Sequence, residues 1–110
     1  MSKRLPQLYL QDIVESISKI EEYTKDLSFE DFSKDWKTID AVVRNLEIIG
    51  EAANNIPKEA VAEHKGIPWH LMVSMRNKVL HEYFGVDVEI LWKTIKEDLL
   101  KLKEQIAKLI

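Results

Sequence analysis

The chain has 110 residues, 45% of them apolar and 32% charged, with a net charge of −3 and no cysteine. One domain and one core over residues 1–110 suit that length, and the missing thiols exclude disulfide stapling and thiolate zinc sites. The acidic balance excludes a broad basic face for nucleic acid, so any RNA chemistry must come from a local pocket. No apolar run approaches the ~20 residues of a membrane span, and the N-terminus carries no secretory signal. The expectation is a cytoplasmic protein without membrane contact.

Pro6 suits a first helical position. From there Leu10, Ile13, Val14, Ile17, Ile20 and Tyr23 recur at steps of three and four, one buried helix face. Ser28 with Asp31 resembles a capping box and opens a short helical turn around Phe29 and Phe32. A long helix follows over roughly 35–55, with Ile39, Val42, Val43, Leu46, Ile49 and Ala53 inward, and Pro57 ends it. A short helix over 58–64 is expected to close on Gly66 in a left-handed conformation. Pro68 starts the next segment, carrying Trp69, Met72, Met75, Val79 and Leu80, and Gly85 breaks it. Asp87 caps a last helix whose Trp92, Ile95, Leu99, Leu102, Ile106 and Leu109 form an unbroken seam. No strand pattern, repeat or low-complexity linker intervenes. The fold class is all-α, an up-and-down bundle of four to five main helices.

No glutamate has a histidine three residues on and no two histidines stand four apart, so di-metal and zinc-protease patterns are missing. The glycines at 50, 66 and 85 are isolated and build no phosphate-cradling loop. One stretch stands out, Met75-Arg76-Asn77-Lys78-Val79-Leu80-His81-Glu82-Tyr83-Phe84-Gly85. Metal-free RNA cleavage needs a group to remove the 2′-hydroxyl proton, and an imidazole titrating near neutrality serves. It also needs a fixed cation against the charge gathering on phosphorus, which arginine supplies with a planar fork of donors.

On a regular helix Asn77 lies beside His81 and could orient its ring, and Arg76 and Tyr83 share a face within about 20°. Arg76 and His81 diverge by about 140°. They meet at one phosphate only if the helix distorts near Leu80 or a second copy of the chain supplies one of them, as a two-fold interface would.

This stretch resembles the ribonuclease motif of the HEPN superfamily, and its R-x-x-x-x-H-x-Y form resembles the HepT-like toxins. The similarity extends to Leu46–Ala52 in the long helix, Ile67-Pro68-Trp69 before the motif, and Val86-Asp87 with Trp92 after it. The resemblance implies a HEPN-like homodimer acting as a metal-independent endoribonuclease toxin on tRNA or mRNA. Arg76 and His81 would be the catalytic pair and Asn77 the polar support. It also implies a minimal nucleotidyltransferase antitoxin as partner. That partner, and not this chain, uses ATP and magnesium to attach AMP to Tyr83. Adenylylation would put phosphate charge and bulk where the RNA phosphate should sit.

Along the long helix Asp40, Arg44, Glu47, Glu51 and Asn54 form one polar stripe, read either as a solvated face or, through Arg44, Glu47 and Glu51, as a cleft wall near the motif. Gly50 inside that helix costs ~1 kcal/mol relative to alanine and points to a close helix crossing. Trp36, Trp69 and Trp92 read as core or interface anchors ahead of base-stacking platforms, and His64 and His70 as surface residues. Lys101, Lys103 and Lys108 read as a solvated C-terminus. The alternative to a toxin ribonuclease is a non-catalytic helical module that docks a nucleotidyltransferase. It would need neither Arg76 nor His81.

Overall fold

A computed structural model describes residues 5–81 and 87–110, with residues 76–81 described by their backbone alone. Helix α1, Pro6–Thr24, opens at the proline and buries Ile13, Ile17 and Ile20 completely. The inward face ends differently from the periodicity: Tyr23 is 42% exposed, and Thr24 takes the buried place. The Thr24 hydroxyl donates to the Ile20 carbonyl at 2.8 Å, so it enters the core already satisfied, while the larger phenol stays in water.

Ser28 caps α2, Phe29–Lys34, accepting the Asp31 amide at 3.1 Å. Asp35 caps α3, Trp36–Asn54, accepting the Thr38 amide at 3.0 Å and the Thr38 hydroxyl at 2.6 Å. Helix α4 spans Lys58–Glu63 and α5 spans Trp69–His81. The Asp87 carboxylate caps α6, Val88–Lys93, by accepting the amides of Glu89 and Ile90. Helix α7 is Leu99–Ala107. Among the described residues there is no strand, and no helix is long and apolar enough to cross a membrane.

Two local expectations are corrected. No described glycine has positive φ, so Gly66 is not a left-handed cap; α4 ends instead on His64, whose amide donates back to Ala60 and Val61 carbonyls. The last helix is also not uniform, because a π-helical turn, Thr94–Asp98, separates α6 from α7. The residue on the core line is Leu91 and not Trp92: Leu91, Ile95, Leu99, Leu102 and Ile106 are buried. Two successive steps of four would drift about 80° on an ideal helix, and the widened turn takes up that drift. Trp92 is released to pack on α2, its ring 5.0 Å from Phe32 and 6.2 Å from Phe29. Lys96, within the π-turn, lies 4.5 Å over the Trp92 ring and donates to the Thr24 carbonyl at 3.5 Å.

Cross-contacts fix the helix directions. Tyr9 and Asp12 near the start of α1 share a hollow with Glu51 and Asn55 at the end of α3, so these helices are antiparallel. Lys96 meets the end of α1, and Lys103 pairs with Glu21 at 2.8 Å, so the last helix also opposes α1. Gln105 donates to the Gly66 carbonyl at 3.3 Å while Asp98 and Met75 line one groove, so α5 opposes the last helix as well. Helices α1 and α5 therefore run one way and α3 and α7 the other, the up-and-down bundle expected. Helix α3 packs extensively on both α1 and α5, and α7 packs on α1. Among the described residues the seam between α5 and α7 is the loosest of the four.

Candidate active site

Helix α5 is anchored at its start and bears the motif at its end. The Pro68 carbonyl accepts the amides of Leu71 at 3.1 Å and Met72 at 3.2 Å, so the chain enters the helix directly. Trp69 is buried, its indole N–H donating to the His64 carbonyl at 3.1 Å, and Met72 is completely buried. Burial of these two side chains holds the first turns against the core. Arg76, Asn77 and His81 occupy the last two turns. Tyr83 lies outside the described residues.

The backbone of α5 stays α-helical through His81. A distortion near Leu80, one of the two ways of bringing Arg76 and His81 together, is therefore absent from the backbone. Positions 76 and 81 remain about 140° apart around the axis.

The antiparallel crossings give the height of the motif in the bundle. Asp98 and Met75 line one groove, Lys96 reaches the Thr24 carbonyl, and Asp12 and Glu51 line one hollow, so each pair lies at about the same height. Counted along helices of equal rise, these place residues 76–81 level with the first turn of α3, to within about one turn. Trp36 stands in that turn of α3 and is 61% exposed. The chain is held firmly there. Hydrogen bonds from the Thr38 hydroxyl and amide keep the Asp35 carboxyl below its ordinary pKa of 3.8, with smaller help from the nearby Lys37 charge.

The proposed cleft wall lies further along. Arg44 and Glu47 form an ion pair at 3.6 Å, with side chains 69% and 29% exposed, a pairing worth little in water. Glu51 lies roughly 18 Å along the axis from the height of Arg76. It lines a hollow of about 320 Å³ with Tyr9, Asp12, Ile48, Ala52 and Asn55. A second hollow of about 230 Å³ follows the loose seam between α5 and the last helix, with Leu71, Met75, Leu102 and Lys101 among the described residues in its wall.

Of the two anchor readings of Trp36, its exposure removes the one that buried it in the core of this chain. The signal was local: the indole sits in Lys34-Asp35-Trp36-Lys37, a polar stretch at a helix start, where an apolar anchor has no apolar neighbours in sequence.

Residues 13–109 match the family model described as Ribonuclease HepT-like. The chain belongs to the ribonuclease HepT-like family. Over 107 residues it is 54% identical to a protein of Thermococcus cleftensis named "Probable ribonuclease HepT", covering 97% of each chain. It is 42% identical to a "Putative RNase" of Caldanaerobacter subterraneus subsp. tengcongensis, covering 97% of this chain and 96% of that one. A Methanocaldococcus jannaschii protein named "Gamma-glutamylcyclotransferase and putative RNase" is 46% identical over 94% of this chain but 46% of its own length. No solved structure matches. Membership in this family of ribonucleases agrees with the resemblance carried by Arg76, His81 and Tyr83 in the sequence.

Proposed function

We propose that this ribonuclease is a cytoplasmic, metal-independent endoribonuclease toxin, cleaving tRNA or mRNA in a cleft between two copies of the chain. His81 takes the proton of a 2′-hydroxyl, and the freed oxygen attacks the adjacent phosphorus. Arg76 stabilises the charge on the phosphorane, and Asn77 orients the imidazole. The P–O5′ bond then breaks as the 5′-oxygen takes a proton, leaving a 2′,3′-cyclic phosphate and a 5′-hydroxyl. The chain itself needs no cofactor. A minimal nucleotidyltransferase antitoxin silences it by transferring AMP from ATP, with magnesium, to the Tyr83 phenol, releasing pyrophosphate.

The observation that carries the two-copy reading is the unbroken helix through positions 76–81 in a chain of the ribonuclease HepT-like family. A cation and a base about 140° apart on one rod cannot grip the same phosphate, and a two-fold interface offers each from a different copy. The test incubates the protein with tRNA and with mRNA in excess chelator, beside Arg76→Ala and His81→Ala. Cleavage persisting in chelator with cyclic phosphate ends is expected, with a fall of at least about 100-fold in either variant. Undiminished cleavage by His81→Ala would remove its role. With the nucleotidyltransferase and ATP, AMP should be found on Tyr83; AMP only at other residues would defeat that assignment.

A further inference from the structure

We propose that Trp36 is a stacking platform for a nucleobase of single-stranded RNA beside the scissile phosphate, an inference that rests on the ribonuclease reading above. Trp36 is 61% exposed, whereas the other two tryptophans are held inside, Trp69 buried and Trp92 against Phe32. On α3 it shares an azimuth, within about 20°, with Val43 seven residues on, which is buried. Ala52, which lines the hollow shared with α1, lies about 160° away on the opposite flank. Trp36 thus stands on the flank of α3 turned towards α5, at the height of residues 76–81.

Its surroundings select the occupant. Interface cores are depleted of lysine and aspartate, and the exposed neighbours of Trp36 along α3 include Lys37 and Asp40. An exposed indole with these charged neighbours along its own helix is poor ground for a subunit contact and good ground for a flat base, whose face stacks whatever its sequence. Stacking also answers the charge problem. A chain of net charge −3 cannot hold RNA by phosphate contacts spread over its surface, and a stacked base adds affinity that needs no positive charge. The platform is preorganised, because the Asp35 cap fixes the backbone on which the indole is mounted.

The test uses His81→Ala protein, to prevent cleavage, and follows tryptophan emission as a single-stranded oligoribonucleotide is added. The same titration is run with an abasic strand of equal length and with Trp36→Ala in the same background. The base-bearing strand is expected to quench the emission that Trp36 contributes, the abasic strand to bind more weakly, and Trp36→Ala to lose roughly 5- to 150-fold in affinity, the range of one stacked base. In otherwise wild-type protein Trp36→Ala should raise KM by a similar factor with little change in kcat, and Trp36→Tyr should restore most of it. Equal binding of base-bearing and abasic strands, or unchanged affinity in Trp36→Ala, would overturn the proposal. A Trp36→Ala protein of altered oligomeric state would also overturn it, by making the indole a subunit contact. Base-dependent quenching without cleavage by the wild type would support the platform and count against the ribonuclease reading alone.

Discussion

At the scale of single residues, helix caps and burial decide where each side chain sits. Ser28 and Asp87 were legible as caps because a short acceptor before an apolar period has one good use, satisfying amides at a helix start. Tyr23 and Thr24 were not, since periodicity gives a face to within about one residue while satisfaction of a hydroxyl chooses between neighbours. Asp35 carries a pH prediction. Its folded pKa lies below the ordinary 3.8, so the cap's stabilisation is present above that value and is lost as pH falls through the depressed folded pKa. Asp35→Ala is therefore expected to melt below the wild type at neutral pH, with the gap shrinking as pH drops below about 4. A gap constant from pH 7 to pH 2 in thermal melts would show that the carboxylate charge is not what the helix start uses.

Among the elements, the π-turn is the feature the sequence hid. Its residues, Thr94–Asp98, look like ordinary helix, and the steps of three and four through Trp92 form a plausible seam. Only packing on α2 reveals that the extra residue lets Leu91 and Leu99 share the core while Trp92 turns to Phe32 and Phe29. Phe32 is completely buried and joins α2 to the last helix through that ring contact. Phe32→Ala is expected to cost about 3–5 kcal/mol in urea unfolding and to erase the near-ultraviolet dichroism of Trp92. A cost under about 1 kcal/mol would mean that this corner relaxes around the gap and does not hold α6 in place.

For the whole molecule, four main helices running up and down were legible from the pattern of apolar residues and breakers. The unequal seams were not. Tight packing of α3 on both α1 and α5, with a looser seam between α5 and α7, depends on side chains far apart in sequence. The motif was readable as chemistry but not as a place. Its height beside Trp36, and not beside Glu51, follows from antiparallel crossings that no local signal encodes. The proposed ribonuclease reading carries a requirement: Arg76 and His81, at positions that diverge on one regular rod, would have to reach the same phosphate from two copies. That requirement is tested most directly by mixing Arg76→Ala and His81→Ala subunits after each has been shown inactive alone. Random pairing makes half of the dimers mixed, each with one intact composite site, so about a quarter of wild-type activity should return. A mixture as inactive as its parents would contradict the shared site.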